Sequence, residues 1–139
     1  MKNFILAACL MASLVTSGVA FADPARDAIL AALSAEAKAA NPAFTAFSAK
    51  NGEAFWTAKQ TGGKAETSSC TACHTKDATA QGQTRAGKAI DPMAVSANPA
   101  RFTDAEKVAK WFGRNCNTVL GRECSPEEKG NIIAYLSSL

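Results

Sequence analysis

An all-α domain is predicted, and three observations carry the prediction. Two stretches, 103–106 and 125–128, read as helix-opening capping boxes. Apolar residues recur at helical spacing in four segments. No segment alternates apolar and polar residues with the strand period for more than a few positions.

The elements follow in order. Lys2 gives a positive start, 4–15 is a short apolar run, and Ala20-Phe21-Ala22 is a small-x-small cleavage signal. Residues 1–22 therefore read as a cleaved signal peptide, and the mature chain begins at Asp23. The run is too short for a membrane span. Leu6-Ala7-Ala8-Cys9 looks like a lipidation signal but falls too early, with too little apolar sequence before it. Residues 24–40 are Ala-rich, with Ile29, Leu30 and Leu33 on one stripe, and predict a first helix that Pro42 ends. Residues 23–47 form an N-terminal helical extension of peripheral character, and 48–139 form the main domain. Ser48 is the expected N-cap of a second helix running to Gln60, with Phe55 and Trp56 as its apolar face and Gly62-Gly63 as its stop. Residues 77–100 carry Gly82, Gly87, Pro92 and Pro99 without periodicity and read as loop; a loop of that length in a small domain is usually functional. Thr103-Asp104-Ala105-Glu106 opens the next helix, with Val108, Trp111, Phe112 and Asn115 at helical spacing. Ser125-Pro126-Glu127-Glu128 opens the last, which carries Ile132, Ile133, Tyr135 and Leu136. Phe55, Trp56 and Tyr135 are the expected core where the second and last helices cross.

Between the second helix and the loop lies Cys70-Thr71-Ala72-Cys73-His74. Cys-x-x-Cys-His is the attachment motif of a c-type haem. Two thiols one helical turn apart add to the two vinyl groups, and the adjacent imidazole becomes the proximal iron ligand. Zinc or thioredoxin-like chemistry fits poorly. His74 is the only histidine, and no βαβ pattern surrounds the pair. One covalent haem c is therefore expected, held by Cys70 and Cys73 with His74 on the iron. A buried haem would supply much of the core of so small a domain, so the apoprotein is expected to fold poorly. Bacterial haem attachment of this kind takes place outside the cytoplasmic membrane, which matches the export signal and implies a periplasmic protein.

Of five cysteines, Cys9 leaves with the signal and two serve the haem. Cys116 and Cys124 remain, an even pair in an oxidising compartment, and read as a disulfide. Closing so short a loop contributes about 2.5 kcal/mol on the chain-entropy account. Fifteen Lys and Arg, fourteen once Lys2 has gone, face twelve Asp and Glu. That balance gives no reason to expect nucleic acid or an anionic membrane surface as partner. Among the basic residues Arg85 is the foremost candidate for pairing with a haem propionate, ahead of Lys88, Arg101, Arg114 and Arg122. Trp111 and Phe112 are expected to line the haem pocket.

Function turns on the sixth iron ligand. Two strong protein ligands make an electron carrier, whereas a weak or open position admits small ligands. A second histidine is unavailable. Met93, the one methionine outside the signal segment, is the ordinary choice, but it follows His74 closely in sequence for a loop that must cross to the other haem face. It can instead pack on the haem rim. Asn115, next to Cys116 and one turn beyond Trp111, is the other candidate, although an Asn near a helix end commonly has a purely local role.

Several stretches resemble the sphaeroides haem protein family, relatives of the cytochrome c″ group within class I cytochromes c. They are 60–64, 69–74, 82–88, 101–104, Trp111-Phe112-Gly113-Arg114-Asn115-Cys116 and Gly121-Arg122-Glu123-Cys124. The resemblance runs from about Ser48 to the C-terminus and is most specific in the last third. It implies a class I cytochrome c-like helical fold around one covalent haem, with an extra N-terminal helix. It implies, by position, that Asn115 is the sixth ligand of ferric iron and departs on reduction. Oxygen, carbon monoxide or nitric oxide then binds. It further implies electron supply by a dihaem or other c-type cytochrome. Where the cytochrome c″ group has a histidine, this chain has Asn115.

Two functions of different class follow. One is a gas-binding haem protein, with oxidase or nitric-oxide-detoxifying activity as its enzymatic form and redox or gas sensing as a variant. The other is an electron-transfer cytochrome with Met93 as fixed sixth ligand.

Overall fold

The computed structural model describes residues 23–139; the signal-peptide reading of 1–22 and the Cys9 reading lie outside the described residues. Five helices and one small hairpin occur in the order α1 (Pro24–Ala40), α2 (Ala49–Thr57), α3 (Thr71–His74), β1 (Gly82–Gln83), β2 (Ala89–Ile90), α4 (Ala105–Leu120) and α5 (Pro126–Ser138), with a single 3₁₀ turn at Ala65–Thr67. The domain is all-α in class, as the periodicity predicts.

Helix α1 starts where Asp23 caps it, its carboxylate accepting from the N–H groups of Ala25 and Arg26. Its buried stripe is Arg26, Ile29, Leu33 and Ala37, at spacings of three and four. Ile29 and Leu33 pack against the fully buried Ile133 of α5. The expectation of a peripheral first helix is corrected: α1 is part of the core.

Helix α2 is capped by Ser48 as expected, its Oγ accepting from the Asn51 N–H. It ends at Thr57 rather than Gln60. Ala58 has turned to extended backbone, and the Gln60 N–H is taken by the Ser68 carbonyl at 2.7 Å, so the chain leaves the helix to close the loop ahead of the cysteine motif. α2 crosses α5 at Gly52, where any Cβ would collide with the Asn131 carbonyl and the Tyr135 Cβ. That approach buries Trp56, Tyr135 and Leu136 together in the main core. Asn131, itself buried, accepts from the Ser48 N–H at 2.7 Å and fixes the register of the crossing.

The 77–100 segment is more ordered than the loop that its composition predicts. β1 and β2 pair antiparallel, Gly82 opposite Ile90 and Gln83 opposite Ala89. Further on, the Met93 and Ala94 N–H groups both donate to the Ala78 carbonyl, and the Val95 N–H donates to the Leu136 carbonyl, each at 2.9 Å. Ala94 and Val95 are buried. Too short to show a period in sequence, the hairpin escapes pattern reading.

Helix α4 is capped by Asp104, whose carboxylate accepts from the Lys107 N–H at 3.0 Å, and not by Thr103. The Thr103 hydroxyl donates instead to the Ala100 carbonyl. The second capping box stands as read: Ser125 Oγ accepts from the Glu128 N–H, and the Glu128 carboxylate accepts from the Ser125 N–H.

Candidate haem site

Cys70 and Cys73 sit at the two ends of one turn. The N–H groups of Cys73 and His74 both donate to the Cys70 carbonyl, at 3.3 and 3.1 Å, so both sulfur-bearing residues and the imidazole belong to a single tight helical turn. Thr75, directly after His74, has φ 62. A β-branched residue in that region is strained, and such strain collects at functional sites. Gly82 of β1 passes so close behind the motif that a Cβ there would strike the Cys73 carbonyl and the His74 Cα. The hairpin thus backs the motif.

The motif opens onto a cavity of about 580 Å³, within the size range of cofactor sites, about 300–1,000 Å³. Cys70, Cys73 and His74 form one part of its wall, Met93, Arg101 and Phe102 another, and the Trp111, Phe112 and Asn115 face of α4 a third. The Trp56 indole lies 5.4 Å from the His74 imidazole, centroid to centroid.

His74 Nδ1 and Trp56 Nε1 are buried without a hydrogen-bond partner among the described residues. Orphaned buried polar atoms are rare and costly. A ring meant for a metal is where one is expected. Burial, seconded by the charge of Arg101, pushes the His74 pKa down to about 4. The imidazole is therefore neutral at ordinary pH and its lone pair is available. Burial pushes the Cys70 thiol up to about 11, which disfavours its thiolate. A neutral imidazole, two cysteines on one turn and a large, mainly apolar cavity fit a covalently attached haem.

The sequence-derived candidates distribute as follows. Cys70, Cys73, His74, Met93, Trp111 and Asn115 all face the one cavity. Trp111 is 50% exposed and stands at its mouth, with the Arg114 guanidinium 5.2 Å from the ring centroid. Asn115 is exposed, and its amide makes no hydrogen bond to any described residue. Its neighbour Cys116 is bonded to Cys124, with Cα atoms 5.5 Å apart, so the disulfide read from cysteine parity is present. The Met93 side chain is half-buried against the cluster that also holds Trp56.

Arg85 is corrected. It is exposed in an ion pair with Glu66 at 2.7 Å and does not line the cavity. Arg101 does line it. Half-buried, it donates from Nε to the Pro92 carbonyl at 2.8 Å and from Nη2 to the Asp91 carbonyl at 2.6 Å. Burial lowers its pKa, opposed by Asp91. Arg101 follows Pro99 at the end of the loop, where no sequence pattern ranks it above Arg85. Phe102, beside Arg101, is not singled out by the sequence; it lies in the cavity wall with φ 63.

Comparison with known proteins finds c-type cytochromes. Residues 42–136 match the family described as domain of unknown function (DUF1924). The chain is 49% identical over 129 residues to the cytochrome c-type protein SHP of Cereibacter sphaeroides, covering 93% of this chain and 96% of that protein. It is 41% identical over 101 residues to cytochrome c″ of Methylophilus methylotrophus, covering 72% and 70%. Among solved structures, oxidised SHP, described as an oxygen-binding cytochrome c, superposes with a TM-score of 0.75 at 46% identity, over 82% of this chain and 96% of that one. Oxidised cytochrome c″ superposes with a TM-score of 0.68 at 37% identity, over 81% and 92%.

Proposed function

The chain belongs to the DUF1924 family and to the c-type cytochromes that include SHP and cytochrome c″, and on that premise we propose that it is a periplasmic monohaem cytochrome that binds diatomic gases. Haem, when bound, supplies an iron that changes oxidation state and in its ferrous form takes oxygen, carbon monoxide or nitric oxide. Cys70 and Cys73 hold it covalently and His74 is its proximal ligand. Arg101, not Arg85, is the cation at its edge. Among the described residues no helix is long and apolar enough to cross a membrane.

One observation carries the choice of function. The amide of Asn115 faces the cavity from α4 without a hydrogen bond, while Met93 packs beside Trp56, the residue against which His74 lies. This supports the reading of Asn115 as the displaceable sixth ligand. A neutral amide oxygen is a hard, weak donor that favours ferric over ferrous iron, so reduction loosens it. The disulfide holds the backbone beside it, so the side chain can swing without the helix moving. Electrons come from a dihaem or other c-type cytochrome.

Optical spectra of the reduced protein with and without carbon monoxide test the reading. A large carbon-monoxide difference spectrum is expected, with Asn115→Ala altering the ferric spectrum while leaving haem attached and Met93→Leu altering little. Met93 also lines the cavity, which supports the alternative of an electron-transfer cytochrome with a fixed sixth ligand. A reduced protein indifferent to carbon monoxide, together with loss of a methionine-type band in Met93→Leu, would establish that alternative.

A further inference from the structure

The most unusual buried group outside the cavity is Arg26 of α1. It is 3% exposed and occupies the first place of the stripe that continues with Ile29, Leu33 and Ala37. A helix that needed only to dock on α5 would carry an aliphatic residue there, because a buried guanidinium is costly unless its donors are used. Three of the Arg26 hydrogen bonds go to one short turn. Nη2 donates to the Pro99 carbonyl at 2.7 Å and to the Arg101 carbonyl at 3.0 Å, and Nε donates to the Arg101 carbonyl at 3.1 Å.

Those carbonyls lead into the strained residue of the pocket. Phe102, with φ 63, is an aromatic in left-handed backbone, which persists only when its surroundings hold it. Its ring is in the cavity wall. The same turn launches the Arg101 side chain, which in turn holds the Asp91 and Pro92 carbonyls next to Met93. Two guanidinium groups therefore act in series. One fixes the 99–101 backbone from outside, and the other carries that placement to the cavity edge.

We infer that Arg26 is a positioning residue of the haem pocket, setting through the 99–102 turn where Arg101 places its charge. The inference rests on the reading of Arg101 as the cation at the haem edge. It assigns the first helix, which lies outside the family-matched residues, a part in tuning the cofactor.

The test is spectroelectrochemistry on holoprotein of Arg101→Gln, Arg26→Gln, Arg26→Lys and the double variant Arg26→Gln/Arg101→Gln, with circular dichroism to check folding. Arg101→Gln should favour the ferric form about tenfold, a fall of about 59 mV for one electron. Arg26→Gln should lower the potential in the same direction. Arg26→Lys keeps the charge but cannot span both carbonyls, so an intermediate fall reports placement and not charge alone. In the Arg101→Gln background the Arg26→Gln change should add little, since the two act as one unit. An unchanged potential in Arg26→Gln beside a shifted one in Arg101→Gln would reduce Arg26 to a packing residue. Full additivity in the double variant would also overturn the inference. No shift in Arg101→Gln would remove the Arg101 reading itself, and this inference with it. Should Arg26→Gln fail to fold, Arg26→Lys decides alone: an intermediate potential supports the inference and a wild-type potential overturns it.

Discussion

The two sides of this molecule are built on different terms. On one side α1, α2 and α5 meet directly. Ile133 and Leu136 are fully buried, and Gly52 lets two helix backbones nearly touch. On the other side α3, the hairpin and α4 border a cavity, and Phe102, Phe112 and Trp111 in its wall are only partly buried or exposed. The first side closes on itself. The second is shaped around a body the polypeptide does not supply. Dense contact lets the polypeptide itself stabilise the first side more than the second, whereas α4 depends on what its two ends are tied to: the 99–103 turn at one end and the Cys116–Cys124 bond at the other.

The sharpest way to break this contrast is to withhold the haem. A Cys70→Ser/Cys73→Ser variant should lose haem staining on denaturing gels and the haem mass. Amide exchange should then rise along α4 by orders of magnitude while the centre of α5 stays protected. Uniform loss of protection in both helices would show that the two sides are one cooperative unit. Gly52→Ala attacks the other side. Alanine is the better helix former by about 1 kcal/mol, yet here the collision is with backbone, which cannot rotate away. A net loss of about 3 kcal/mol, at the upper end of overpacking costs, should appear in urea unfolding of the holoprotein.

The same contrast governs what the sequence reveals. α1, the Ser48 cap, the Trp56 and Tyr135 core and the second capping box were legible because helical period and capping are local properties. The attachment motif was legible because covalent chemistry demands fixed spacing. What was not legible lies around the cavity. Arg85 and Arg101 look alike in sequence, and only the fold sends one to a surface pair with Glu66 and the other to the cavity edge. The buried role of Arg26 depends on carbonyls more than seventy positions away. Thr103 lost the cap to Asp104 because the neighbouring turn offered its hydroxyl a carbonyl, a competition no residue pattern records.

The Cys116–Cys124 bond joins the two sides, fastening the cavity helix to the start of α5. Removing it in Cys116→Ser/Cys124→Ser should cost about 2.5 kcal/mol on the loop-entropy account, measured by denaturant titration. The loss should be local in exchange experiments, loosening the last turn of α4 and leaving α2 unaffected. Equal loosening of α2 would mean that the bond supports the whole core and is not a tether for one wall.

The smallest effect is expected at the second tie across the same junction. Glu128 receives both Nη1 and Nη2 of Arg122, at 2.8 and 2.7 Å, and accepts from the Ser125 N–H at 2.7 Å. The Arg122 hydrogen bonds are the main cause that holds its carboxyl below the ordinary 4.5, with the Ser125 backbone adding to them against a desolvation cost. The Arg122 side chain is 54% exposed and that of Glu128 22%, so solvent screens much of the ion pair and the cap supplies most of what is left. Glu128→Gln should therefore cost about 1 kcal/mol at neutral pH. The sign of its pH dependence is fixed. A carboxyl whose pKa is lower folded than unfolded binds fewer protons when folded, so its stabilisation is complete above 4.5 and disappears as pH falls through the depressed value. The difference in stability between wild type and Glu128→Gln should shrink in that window. If it is instead constant from neutral pH down to well below 4.5, ionisation of Glu128 contributes nothing and the tie is a matter of hydrogen-bond geometry alone, which glutamine would largely preserve at the Ser125 N–H.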